Sequence, residues 1–138
     1  MQGKLLAGVA LVMGFVITCG PAFAHHGSAL SYQMDKEVTV KGVVTNFRWA
    51  NPHAQLYLDQ TEANGNVIHW ALEMNSPGVL IRDGWSKATL KPGDAITVTL
   101  NPSRSGDPVG FCGAIVLPDG RRIKGNTASK DDAPDVLK

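Results

Sequence analysis

Residues 54–81 read AQLYLDQTEANGNVIHWALEMNSPGVLI, and the fold is decided by this stretch. Its first part alternates, placing Ala54, Leu56 and Leu58 on one face of a strand. Asn64-Gly65 then marks a tight turn of the hairpin kind. From Val67 to Met74 the chain alternates again, with Ile68, Trp70, Leu72 and Met74 on the bulkier, nearly all-apolar face. Ser76-Pro77 starts a helix, with serine at the N-cap and proline at the first helical position, where its missing N–H costs nothing. Val79, Leu80 and Ile81 supply the apolar stripe, and Gly84 a left-handed stop.

Outward from this hairpin and helix the pattern is β on both sides. Glu37 to Arg48 is rich in β-branched residues, and Gly42 predicts a bulge or sharp bend inside a long first strand. Asn51-Pro52 interrupts it, because proline cannot donate to a ladder. After the turn Leu90-Lys91-Pro92-Gly93-Asp94, Ala95 to Leu100 aligns Ile96, Val98 and Leu100. Trp85 anchors the return from the helix. Phe111 to Leu117 forms a fifth run, ended by Pro118-Asp119-Gly120. The order strand-strand-strand-helix-strand-strand is that of a mainly β fold, a small five-stranded OB-like Greek-key barrel with one helix between strands three and four. An open sheet packed on one helix is the competing architecture.

The ends of the chain read differently. Lys4, the uncharged run of 14 residues from Leu5 to Thr18, Pro21 and Ala22-Phe23-Ala24 have the layout of a cleaved signal peptide. The apolar run is short for a helix that spans a bilayer. Thr18 before Cys19 argues against a lipoprotein. The expected organisation is a signal peptide over 1–24, an N-terminal lead-in over 25–36, a β-barrel domain over 37–124 and a disordered tail over 125–138.

Removing residues 1–24 from the 138 leaves 114, about one domain. Of the 13 basic residues only Lys4 is lost, so the mature chain balances 12 basic against 12 acidic groups. A neutral surface gives no support for binding nucleic acid or an anionic membrane. Only Cys112 of the two cysteines survives cleavage, so an intramolecular disulfide is excluded. An exported chain without disulfides points to a periplasmic or secreted location, the bacterial periplasm before other compartments.

All four histidines, His25, His26, His53 and His69, remain after cleavage. A histidine at a free N-terminus closes a chelate ring through its amine and Nδ1, and a second imidazole completes a T-shaped, all-nitrogen site suited to copper(II). Cleavage one residue earlier leaves Ala24-His25-His26, also a copper(II) chelate. Keeping the inward faces aligned makes residue numbers paired across the hairpin sum to 128 or 130. His69 then faces Asp59 or Thr61, and His53 lies about 20–26 Å along the strand. The two cannot share an ion. His53, in Trp49-Ala50-Asn51-Pro52-His53, lies at the start of a strand on a rigid barrel, where sites collect. The candidate metal ligands are therefore His25, His26 and His53, with copper as the cofactor. Alternatively, His25 and His26 form a ligand-free start and His53 caps a turn by hydrogen bonding.

His69 is expected to pair with Asp59 across the strands, or to face Glu73. Met34 and Cys112 are soft donors, but a lone cysteine in a β-run is usually a small buried hydrophobe. Trp49, Trp70 and Trp85 read as core. No serine or cysteine sits in an activating context, and there is no glycine-rich phosphate loop.

The segments Ala24-His25-His26-Gly27, Trp49-Ala50-Asn51-Pro52-His53, Trp70 with Glu73, Ser76-Pro77-Gly78, Gly84-Trp85, Leu90-Lys91-Pro92-Gly93-Asp94 and Asp119-Gly120-Arg121 resemble those of domain-of-unknown-function family 6152. The resemblance covers about residues 24 to 123. Gly27 and Gly78 depart from the family's usual serine and asparagine, and neither is a proposed ligand. The resemblance implies a periplasmic β-rich domain and supplies no reaction. Three functions follow as expectations: a periplasmic copper-binding protein, a metal-free envelope module that binds a protein or small ligand, and a histidine-brace copper oxidoreductase.

Overall fold

The computed structural model describes residues 30–126. The expected signal peptide, His25, His26 and residues 127–138 lie outside them. Six strands follow in chain order: β1 (Val38–Arg48), β2 (Gln55–Thr61), β3 (Val67–Glu73), β4 (Ala95–Pro102), β5 (Val109–Val116) and β6 (Arg122–Lys124), with a short helix, Pro77–Arg82, between β3 and β4.

β1 pairs with both β2 and β4, β2 pairs with β3, and β4 with β5, all antiparallel. Parallel pairing of β3 with β5 closes the sheet into a five-stranded barrel. This is the OB-like barrel expected from the sequence, and closure rules out the open sheet. β6 is an addition to the expected set. It extends the sheet from β5, pairing Ile115 with Ile123.

Period-2 patterning sets the core. Ala54, Leu56 and Leu58 on one strand and Leu72 and Met74 on the next are all buried, as expected. Ile68 and Trp70 are only half-buried, because the start of β3 runs past the end of the barrel seam. Val40, Val44, Val98, Leu100 and Ile115 fill the barrel from β1, β4 and β5. Trp85 is buried, and Trp49 and Trp70 pack against the core from its margin. Burial also pushes the Cys112 thiol up to about 12, the behaviour of a small interior hydrophobe.

Three local expectations are corrected. The irregularity in β1 lies between Val44 and Asn46 rather than at Gly42. Gly42 is needed for a different reason: a Cβ there would stand 2.6 Å from the Asp59 carbonyl oxygen, where β1 passes from β4 to β2. At the helix start, Ser76 is extended and Pro77 follows it, but the Ser76 side chain makes no capping hydrogen bond. Finally, only Leu80 of the helical stripe is buried, while Ile81 is 60% exposed. Six residues make fewer than two turns, so one inward position is all that so short a helix presents. Gly84 does take the left-handed conformation, at φ 86°.

Barrel contacts continue past β6. Gly125 donates its N–H to the Gly113 carbonyl and accepts from Asn75 N–H, and Gly125 and Asn126 are both buried.

Candidate functional site

The β2–β3 register fixes where the histidines go. Every pair in that hairpin sums to 128, from Gln55 with Glu73 to Thr61 with Val67. His69 is thereby directly opposite Asp59, and its Nδ1 lies 2.7 Å from Asp59 Oδ1 on the exposed outer face. The expected cross-strand contact is present, and Glu73 faces elsewhere.

His53 sits two residues before β2. The ladder continues beyond the named strands: Met74 N–H donates to the Ala54 carbonyl and Ala54 N–H to that of Asn75. This draws His53 against the end of β3. Its Nδ1 lies 3.0 Å from the Met74 carbonyl oxygen and 3.3 Å from Glu73 Oε1. Both neighbours are acceptors, so Nδ1 carries the hydrogen and the lone pair of the neutral ring is on Nε2. The side chain is 48% exposed. An imidazole tethered at one nitrogen and open at the other has the usual form of a metal-binding histidine.

Glu73 is held from a second direction. The Tyr32 hydroxyl donates to its Oε2 at 3.0 Å. Tyr32 belongs to the lead-in, which is strapped onto the barrel beside the start of β5. Tyr32 bridges to Ser103, Gln33 N–H donates to the Pro102 carbonyl and Arg104 N–H to that of Ser31. Asn101 Nδ2 donates to the Lys36 carbonyl at 2.7 Å. The Tyr32 ring stacks on Phe111 with centroids 5.6 Å apart. Phe111 is itself the parallel partner of Glu73 at the closing seam. Burial first, then the Glu73 hydrogen bond and charge, push the Tyr32 phenol up to about 12, so it stays a neutral donor at physiological pH.

Tyr32, Glu73 and His53 thus form a relay across the seam. Among the described residues no three histidine, cysteine, aspartate or glutamate side chains gather closely enough to hold a metal ion. Of the candidate ligands the structure describes His53 alone; His25 and His26 lie outside the described residues.

Sequence reasoning misses Tyr32 and Glu73. The register that locates His69 also brings the residues just before β2 beside the end of β3, so Glu73 is within reach of the same reasoning. Tyr32 carries no such signal, because its position depends on a bridge to Ser103.

No helix among the described residues is long and apolar enough to cross a membrane. No curated protein matches this chain. A family model does, over residues 14–112, a span that includes Tyr32, His53, Glu73 and Phe111. With most of its length matched, the chain belongs to DUF6152, a family of unknown function.

Proposed function

We propose that this is an exported periplasmic protein that binds copper through the amine and imidazole of its mature N-terminal His25, together with His26 and His53. The reading is carried by the state of His53. Its Nδ1–H is used by the Met74 carbonyl, and its Nε2, on a half-exposed ring, has no hydrogen-bond partner among the described residues.

Chain length supports a meeting of the two parts. Tyr32 touches Glu73, which touches His53. Residues 30–31 are helical, so the reach comes from the five steps between Leu30 and His25, up to about 17 Å when extended. An all-nitrogen set of amine and imidazoles favours copper(II) over hard cations. Storage, delivery and sensing are all compatible with such a site.

The test uses protein that begins at His25, a form with one extra N-terminal residue, and His53→Ala, each titrated with copper(II) against a competing chelator. Tight binding by the first form and weaker binding by the other two is expected. Equal, weak binding by all three would sink the proposal.

A metal-free envelope module is the second reading. It draws on an open groove of about 440 Å³ lined by Lys41, Val43, Asp59, Ala95, Val116 and Pro118. Equal, weak copper binding by all three forms would favour it.

A further inference from the structure

We infer that Glu73 is a positioning residue for His53, and that Tyr32 holds Glu73 in the orientation this requires. The inference rests on the copper-binding reading above and deepens it.

His53 Nδ1 is hydrogen-bonded to the Met74 carbonyl at 3.0 Å and lies at ion-pair distance, 3.3 Å, from Glu73 Oε1. The carbonyl suffices to fix the tautomer. The carboxylate adds a negative charge behind the ring, which makes Nε2 a stronger donor to a cation in front of it. That benefit exists only while the carboxylate stays in place. An exposed glutamate has several rotamers and would leave Nδ1 for water.

Glu73 is prevented from doing so by a closed circuit of contacts. Its backbone pairs with Phe111, the Phe111 ring stacks on Tyr32, and the Tyr32 hydroxyl returns to Glu73 Oε2. Tyr32 is buried and anchored by its bridge to Ser103, so the hydroxyl has little freedom. Glu73 Oε2 accepts from Tyr32, and this leaves Oε1 3.3 Å from the His53 ring. Glu73 therefore acts on the ion through His53 rather than as a ligand. A glutamine side chain could keep both contacts, its amide donating to the Tyr32 oxygen, but it would put no negative charge behind the ring, so the substitution isolates the charge.

Outer partners of this kind change metal affinity by about 10- to 100-fold. The test is copper(II) affinity and the copper(II) electron paramagnetic resonance spectrum of the mature protein, Glu73→Gln, Tyr32→Phe and His53→Ala, and of the two double variants that combine Glu73→Gln or Tyr32→Phe with His53→Ala. Glu73→Gln is expected to weaken binding about 10- to 100-fold and to alter the imidazole-nitrogen coupling. Tyr32→Phe, which keeps the ring stack, shifts both in the same direction by less and serves if Glu73→Gln does not fold. Neither change has a further effect once His53 is alanine. Full-sized losses in the His53→Ala background would overturn the inference while leaving copper binding intact. Unchanged affinity in His53→Ala itself would overturn the copper reading.

Discussion

Tyr32 donates its hydroxyl hydrogen to Glu73 Oε2 at 3.0 Å, joining residues 41 apart in the chain. The bond ties the lead-in to the last residue of β3, at the seam where parallel pairing closes the barrel. Burial, and after it the Glu73 hydrogen bond and charge, push the phenol up to about 12. Because the folded value lies above the ordinary value near 10, this contribution to stability is complete below pH ~10 and is lost as pH rises towards the folded value. Ultraviolet titration in a Tyr57→Phe background reads Tyr32 alone. Glu73→Gln should lower its midpoint while leaving it above the ordinary value, since burial remains. A midpoint near 10 in the parent would show that in solution the ring is neither buried nor bonded to Glu73.

Removing that hydroxyl has a stability cost separate from any metal. Tyr32→Phe keeps the stack on Phe111 and loses a hydrogen bond to a carboxylate, a change of about 1–2 kcal/mol. Urea unfolding of the metal-free protein measures it. Tyr32→Ala also loses the stack and should cost more. Equal midpoints for Tyr32→Phe and the parent would mean that water replaces the bond at no cost.

The barrel is legible in the sequence where a strand has one buried face. Leu56 and Leu58 against Leu72 and Met74 leave few registers that keep both rows inside, and the one the protein adopts, the 128 register, puts His69 on Asp59. β5 is harder to read. Its residues from Gly110 to Ile115 are buried on both faces, so no alternation marks its limits or reveals that β6 lies beside it. The relay is hidden for a related reason. His53 stands out by residue type and by the proline before it. Tyr32 reaches Glu73 through pairing between segments far apart in sequence, and neither segment has a local pattern that announces it.

Gly42 tests how β1 turns from one partner to the other. An alanine Cβ would approach the Asp59 carbonyl oxygen to 2.6 Å and Leu58 Cδ1 to 2.8 Å. Alanine is otherwise favoured over glycine by about 0.5–1 kcal/mol in a strand. The carbonyl belongs to the paired backbone and cannot move freely, so strain decides the sign. Gly42→Ala should destabilise by about 1–3 kcal/mol in urea unfolding. A neutral or stabilising result would show that the crossing is looser than this.

Leu80 and Ile81 are adjacent in the short helix, about 100° apart around its axis, the first buried and the second exposed. Leu80→Ala removes a side chain from the closed core and should cost about 2–5 kcal/mol. Ile81→Ala should change stability by no more than about 0.5 kcal/mol. Comparable losses at both positions would mean that the outer face of the helix is covered in solution.

His69 provides the control for the proposed copper site. It carries the same ring as His53 and a nearby carboxylate in Asp59, with Nδ1 at 2.7 Å. Local chemistry therefore does not distinguish the two; position does. His53 lies beside Met74 and Asn75 at the end of β3, so His69 is five to six residues away along β3, about 16–20 Å. Its contact with Asp59 is on the exposed face, where such pairs contribute from about 0 to 1 kcal/mol. His69→Ala should therefore leave both copper affinity and the unfolding midpoint nearly unchanged, while His53→Ala weakens copper binding. If His69→Ala weakened binding as much as His53→Ala, histidines would be acting as independent surface sites, and the assignment of His53 to a single centre with the N-terminus would fail.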